Sequence, residues 1–340
     1  MGKKKVADLA DDLEDAIQSG DRSLALMRAV DLVAADPDHI EGLSAVLHYS
    51  LPPIHRGSYR RDPTLMEAAK GWNIAKKIVK IDPSRKDVWT VGAHLLSVHL
   101  GMTEEVLQWW EDYRVHYPSD PMPIIQQSEL LIRMGDYAEA SRRLSVILEH
   151  GMDETTTFEN QRIMQMNATV QRFFEENTNA FRPQNPKHPS WKDIEDMRNL
   201  KPASEKFTFF MLAGPAIIWE AFALQVFMPK EVGCWGMGFA FLLVYASILF
   251  LKRISIRMTD RRNRPVRDLW RALEVEATSG QVCIPDNIRQ SKLYGIVINS
   301  NYTPAFRDRI EKIVDMDEKL SKRWKMTLPE WKDYEIDEEE

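Results

Sequence analysis

Two apolar runs that almost touch constrain this chain more than anything else in it. Residues 207–228, FTFFMLAGPAIIWEAFALQVFM, carry one charge in 22 positions, and residues 232–251, VGCWGMGFAFLLVYASILFL, carry none in 20. A bilayer core of about 30 Å is crossed by roughly 20 apolar helical residues, so each run is long enough to span it. Only Pro229, Lys230 and Glu231 lie between them, which predicts two helices folded into a tight antiparallel hairpin. The alternative is a buried helical hairpin in a water-soluble protein, but soluble core helices seldom run this long without a polar face.

Charge on either side orients the pair. The stretch KRISIRMTDRRNRPVR follows the second run and holds Lys252, Arg253, Arg257, Arg261, Arg262, Arg264 and Arg267 against one acid, Asp260. Lys192, Arg198, Lys201 and Lys206 precede the first run, while the connection has a single lysine. Positive charge is retained on the cytoplasmic side, so both termini are expected there. The basic stretch is expected to lie against anionic lipid headgroups, as a consequence of topology and not of a specific lipid site.

Beyond the runs, a net charge of −6 gives no reason to expect nucleic acid as a partner. The two cysteines, Cys234 and Cys283, are far apart and form no CxxC, which argues against a disulfide framework or a structural zinc site. The opening MGKKKVADLADDLEDAI lacks the apolar segment of a secretory signal, and Val6 stands where a myristoylation motif needs Ser or Thr.

The N-terminal half has an internal period. Residues 20–39 read GDRSLALMRAVDLVAADPDH, residues 101–120 read GMTEEVLQWWEDYRVHYPSD, and residues 135–151 read GDYAEASRRLSVILEHG. Gly101 and Gly135 are 34 residues apart, and Pro83 and Pro118 are 35 apart. Such a period indicates stacked helix–turn–helix units, none of which buries its apolar face alone.

These segments resemble the tetratricopeptide repeat (TPR) family over roughly residues 7–150. The resemblance rests on the glycine turn, then a small residue five positions on (Ala25 and Ala140, with Val106 in the third unit), then a large apolar residue (Trp110, Leu144). Asp36-Pro37, Asp82-Pro83 and Tyr117-Pro118 then close the helices, since a proline ring stops the second helix and orients the next. The match is carried by the second helices, whereas the family's first-helix tryptophan and leucine–glycine positions are poorly kept. In the second unit, helices near 39–50 and 64–81 are separated by the insertion LPPIHRGSYRRDP, and residues 153–178 are expected to close the array with a further helix.

The resemblance implies a concave surface that binds a peptide or a partner helix, not an active site. Its groove face would carry Val88, Val91, Leu95 and Val98 in the third unit and Met122, Ile125, Glu129 and Ile132 in the fourth. One sub-family grips acidic C-terminal peptides with Lys, Asn and Arg, but this face is mostly apolar. An amphipathic helix or apolar segment is the better fit, unless the same residues are simply buried between repeats. In the insertion, His55, Arg56, Arg60 and Arg61 either hold an acidic partner or are merely solvated.

FRPQNPKHPSW, residues 181–191, has three prolines and no periodicity, and reads as a semi-rigid linker. After the apolar runs, Pro265 to Gly280 is expected to be a short helix, while IPDNIRQSKLYGIVINS is either helical or strand-like. Thr303 then caps and Pro304 opens an amphipathic helix of about six turns on which Phe306, Ile310, Ile313, Leu320 and Trp324 share a face. That face must dock on other C-terminal helices, on the repeat domain or on a partner. The end, TLPEWKDYEIDEEE, is acidic and expected to be disordered.

No Walker loop, GxGxxG, HExxH, GxSxG or kinase motif occurs. His94 and His99 are five apart, a spacing expected to splay them around a helix, and DMDE, Asp315 to Glu318, lacks the turn glycine of a calcium loop. The sequence therefore points to no catalytic residue, metal, cofactor or small-molecule substrate.

The single intramembrane charge is Glu220. Small residues surround it on its own helix (Ala213, Ala216, Ala223), and Gly233, Gly236, Ala240 and Ser247 make a small face on the second, which allows close approach. Equal distances from the turn place Glu220 opposite Ala240. An unpaired carboxylate costs several kcal/mol at the bilayer centre, so the neutral acid is expected there. It either bonds a backbone carbonyl across the helix contact, docks on a polar group of another membrane subunit, or belongs to a proton or ion path.

The expected protein is all-α. Residues 1–180 form a TPR-like helical-hairpin solenoid, 181–206 a proline-containing linker and juxtamembrane segment, and 207–251 a transmembrane hairpin. Residues 252–326 form a basic stretch and small helical C-terminal region, and 327–340 an acidic tail. The expected function is non-enzymatic: a scaffold that recruits or assembles protein partners at the cytoplasmic face of a membrane, through the repeat groove and the transmembrane helices. The alternative is an oligomeric channel or transporter accessory subunit built on the hairpin and Glu220.

Overall fold

A computed structural model describes residues 2–55, 58–150, 155–174, 181–227 and 234–331. Among them the regular structure is helical, apart from an antiparallel ladder of two residues per strand, Ile54–His55 with Ser58–Tyr59, inside the insertion, and one parallel bridge between Val282 and Lys319. The first nine helices are α1 (Gly2–Gln18), α2 (Arg22–Ala35), α3 (Ile40–Ser50), α4 (Leu65–Ile81), α5 (Lys86–His94), α6 (Thr103–His116), α7 (Met122–Met134), α8 (Tyr137–His150) and α9 (Thr157–Phe174). Consecutive members of this series pack against one another throughout.

Local chemistry sets most of these ends. Asp21 accepts from the Ser23 and Leu24 N–H groups at 2.9 and 3.1 Å and starts α2. Thr64 and Glu67 form a reciprocal capping box at the start of α4. Asp36 and Asp82 end α2 and α4 in extended conformation, at φ −135° and −133°, because the proline that follows each excludes the helical region for the residue before it. Gly101 and Gly135 turn the chain at φ +64° and +76°, a left-handed conformation that side chains with a Cβ resist.

The chain divides into two compact units that are not contiguous in sequence. The first joins residues 1–186 with 271–284 and 298–340, and the second joins 187–270 with 285–297. In the first, the C-terminal residues complete the core of the nine helices. Helix α13 (Arg264–Ser279) belongs to this unit from Arg271 on, and α16 (Pro304–Met316) packs against α4 and a π-helical turn, Leu95–Leu100. Ala277, Val282, Phe306, Ile310 and Ile313 form one buried cluster. Thr278 Oγ1 links the turn at Gly101 to α6 by donating to the Gly101 carbonyl and accepting from the Thr103 N–H, both at 3.2 Å. Arg133 forms an ion pair with buried Glu274.

The second unit holds α10 (Pro189–Asp196), α11 (Glu205–Phe227), α12 (Cys234–Arg262), the start of α13, α14 (Asp286–Arg289) and most of α15 (Lys292–Asn301). Helices α11 and α12 pack against each other. Their outer ends are bracketed by the Asn263 side-chain amide, which donates to the Ala203 carbonyl at 2.9 Å and accepts from the Ala203 N–H at 2.8 Å.

Three readings of the sequence change here, and one that stood open is decided. The helix opened by Thr303 and Pro304 stops at Met316 and not near Trp324, because Asp317 turns left-handed at φ +49° and Leu320 N–H bonds the Val282 carbonyl at 2.9 Å. The proline-rich linker contains α10, with Trp191 and Ile194 buried. Of the two alternatives left open for residues 284–300, the segment takes the helical one, as α14 (Asp286–Arg289) and α15 (Lys292–Asn301). The acidic tail is seated on the first unit at least as far as Trp331, since Leu328 and Trp331 pack against its main core.

Candidate functional site

On α11 and α12 of the second unit many large apolar side chains are exposed. Phe210, Ile218 and Trp219 on α11 are 69–72% exposed, and Phe241, Leu242 and Phe250 on α12 are 65–73% exposed. Of the described helices, one stretch, Glu205–Leu224, is long and apolar enough to cross a membrane, and 6% of it is buried. The connection 228–233 lies outside the described residues, as do the surroundings of Gly236 and the side chain of Ala240. Glu220 is half-buried, and its Oε2 is enclosed without a hydrogen-bond partner. Helix α12 runs for 29 residues, about 43 Å at 1.5 Å per residue, so it outlasts a bilayer core by about two turns or more. Its continuation is basic: Lys252, Arg253, Arg257, Arg261, Arg262 and Arg264 are exposed, while Arg267 donates to the Asp260 carbonyl at 2.9 Å.

The residues expected to line a groove sit mostly inside the first unit. Val88, Leu95 and Ile125 are buried, and Val91, Met122 and Ile132 pack against the same core. Glu129 is tied to Arg162 of α9 in an ion pair, and Val98 is the exposed member of the set. Val88 and Val91 do line a cleft of 260 Å³, shared with Leu47, Leu51, Tyr59 and Arg85. A wider cleft of 510 Å³ is floored by Trp72, Trp89 and Trp109, with Lys76, Lys80 and Asp112 at its edge. The indoles pack closely, with ring centres 4.3 Å apart for Trp89–Trp109 and 4.7 Å for Trp72–Trp109.

A second set of residues, none apparent from spacing, meets on α6 and α8. Arg114 makes a two-oxygen pair with Glu111 at 3.0 Å, and both are buried. Gln127 of α7 adds a bond to Glu111 at 3.2 Å. On α8, Glu139 accepts from Arg142 at 2.8 and 2.9 Å and from Arg143 at 2.9 Å. Burial raises the Glu139 pKa, but these hydrogen bonds outweigh it and leave the carboxyl below its usual value. Trp331 of the C-terminal segment covers the cluster, with the Arg114, Arg143 and Arg142 guanidinium carbons 3.8, 4.7 and 5.4 Å from its ring centre. An indole face attracts such cations.

The insertion holds a third grouping. Arg61 grips Glu67 through two bonds, of 2.8 and 2.6 Å, and this guanidinium holds the Glu67 carboxyl down at about 2. Arg61 is thus engaged within the chain, Arg60 is exposed, and Arg56 lies outside the described residues. His94 and His99 do not splay apart. The π-helical turn Leu95–Leu100 widens the helix, and their ring centres stand 5.2 Å apart, edge to face. Tyr59 of the insertion lies 5.8 Å from His99. His99 is 1% exposed with neither ring nitrogen hydrogen-bonded. Burial, with His94 adding to it, lowers its pKa to about 4.

No protein-family model matches the chain. No curated protein matches its sequence at a significant level.

Proposed function

We propose that this protein is a membrane-anchored helical-repeat scaffold, which holds protein partners at the cytoplasmic face of the membrane and performs no chemistry itself. One observation carries the reading: large apolar side chains of α11, and of α12 from Phe241 on, are exposed. Such a surface is unstable in water and neutral or favourable in lipid. Two spans follow if the run 232–251 inserts with its neighbour, and the exposed arginines at the end of α12 then keep both termini on the cytoplasmic side. The TPR-like reading is supported by contacts that recur at the repeat length. Lys86 pairs with Asp120 and Tyr117 Oη reaches the Pro83 carbonyl, each across 34 residues. The two clefts, one lined by Val88, Val91 and Leu47 with Arg85 and Asp87 and one floored by tryptophans, are the surfaces best suited to a partner. Glu220, with an enclosed oxygen that has no partner, fits docking on a polar group of another membrane subunit.

The reading is tested by topology. In a variant whose own cysteines are replaced, single cysteines at Lys230, Met1 and Glu340 are exposed to an impermeant thiol reagent on intact cells. Labelling at position 230 alone is the expected result. Labelling at either end, or release of the protein from membranes by alkaline washing, overturns it.

A further inference from the structure

His94 and His99 are five residues apart, one more than the i, i+4 pair of imidazoles that shares a metal ion on an α-helix. The π-helical turn Leu95–Leu100, which follows directly on His94, removes that misfit. A π turn closes on the fifth residue instead of the fourth, so residues five apart stand one above the other on one side. Such turns within helices recur at functional sites.

Three rings meet on that side. The His94 and His99 ring centres are 5.2 Å apart, and that of Tyr59, carried over by the insertion, lies 6.1 and 5.8 Å from them. Two imidazoles bound to one tetrahedral ion at about 2.0–2.1 Å put their ring centres about 5 Å apart. The same spacing suits an edge-to-face stack, but a stack does not account for the nitrogens. His99 is almost fully buried, and neither of its nitrogens has a hydrogen-bond partner, whereas buried polar atoms are normally paired. The side chains of His94 and Tyr59 make no hydrogen bond among the described residues either.

Electrostatics favours a cation there. Burial keeps the His99 imidazole neutral at neutral pH, which is the form that binds metal. The carboxylate that both imidazoles feel is that of Asp62. Among the described residues no three of His, Cys, Asp and Glu gather closely enough to hold an ion, so Asp62 acts by its charge and the third bond falls to the Tyr59 phenol. His94 is exposed and gives an ion its way in.

We propose that His94 and His99, with Tyr59 as third ligand, bind one divalent transition-metal ion of the kind imidazole favours, zinc or copper, and that this ion clips the insertion to the end of α5. The phenol gives up its proton to solvent as the oxygen binds, and water completes the coordination. An ion that closes the chain between positions 59 and 94 restrains the unfolded state and so stabilises the first unit. The proposal goes beyond the scaffold reading, and its test does not depend on membrane insertion.

The experiment uses the full chain in detergent, without a histidine tag and stripped of metal by a chelator that is then removed. Zn²⁺ is titrated by calorimetry, and Cu²⁺ is followed by electron paramagnetic resonance and visible absorption. The wild type should bind one equivalent, and its unfolding midpoint should rise with the Zn²⁺ concentration. With Cu²⁺ it should show splitting from two imidazole nitrogens and phenolate-to-copper absorption. His94→Ala, at an exposed position, and His99→Gln should each lose at least the roughly 10–100-fold in affinity that even a supporting residue of a metal site costs. Tyr59→Phe should keep the nitrogen signal, lose the phenolate band and release one proton fewer on binding. Circular dichroism checks that each variant is folded, and if a histidine variant does not fold, the wild-type spectrum and Tyr59→Phe carry the test. The proposal is overturned if the folded wild type takes up no more metal than the folded His94→Ala chain, if Zn²⁺ leaves the unfolding midpoint unchanged, or if Tyr59→Phe alters neither spectrum nor affinity. In those cases the two histidines are an edge-to-face stack on which Tyr59 packs.

Discussion

Replacing Gly101 by alanine separates the two reasons that a glycine stands there. The first is local: at φ +64° a Cβ costs about 1–2 kcal/mol. The second is tertiary. A Cβ built on Gly101 lies 2.8 Å from Ala277 Cβ and from Phe306 Cδ2, and nearer still to Phe306 Cε2. The ring has little room to yield, being 1% exposed and stacked on Tyr302 with ring centres 4.1 Å apart. Overpacking of this kind adds about 1–3 kcal/mol, so Gly101→Ala should destabilise the first unit by about 2–5 kcal/mol in all. Phe306→Ala removes two of the three close contacts and leaves the one with Ala277 Cβ, so in that background the same substitution should cost less than in the wild type, with the backbone part of about 1–2 kcal/mol as its floor. The assay is denaturant unfolding of the detergent-solubilised chain followed by tryptophan fluorescence, which draws on Trp72, Trp89, Trp109 and Trp110 of that unit. An equal penalty in both backgrounds would refute the claim that α16 and α13 are seated on the turn at Gly101.

The remaining predictions concern the buried histidine and the half-buried acid of α11. Because the folded His99 pKa of about 4 lies below the ordinary value of 6.5, the unfolded chain binds the extra proton between those limits. Stability from this group is therefore full above pH 6.5 and falls as the pH drops towards 4, by about 3 kcal/mol at most. His99→Gln should flatten that slope in unfolding measured at several pH values, and an unchanged slope would remove His99 as its cause. Glu220→Leu should leave membrane insertion intact but release a membrane subunit docked on it, whereas Glu220→Gln should keep it, since an amide replaces most hydrogen bonds of a neutral acid. Co-purification that survives both changes means Glu220 has no docking role, and loss of activity in the Gln variant with the subunit retained indicates a proton path.

What the sequence determined by itself follows rules that act over a few residues. Composition alone marks 207–228 as apolar but for Glu220. The Asp-Pro pairs at 36–37 and 82–83, the turn glycines 101 and 135, and the Thr303-Pro304 start act through backbone sterics and capping, so helices appear where these signals stand. Spacing failed where the helix itself changed period: the π-turn at Leu95–Leu100 brought His94 and His99 together, and nothing in the residue pattern announces a wider turn. Only the tertiary structure could show that Phe306 fills the space beside Gly101, that Asn263 brackets Ala203, or that Trp331 sits among Arg114, Arg142 and Arg143. Those contacts join residues 60 to more than 200 positions apart. They are set by which faces remain apolar after the helices form and by the charge left to be covered when those faces close, and neither is a property of any short stretch of chain.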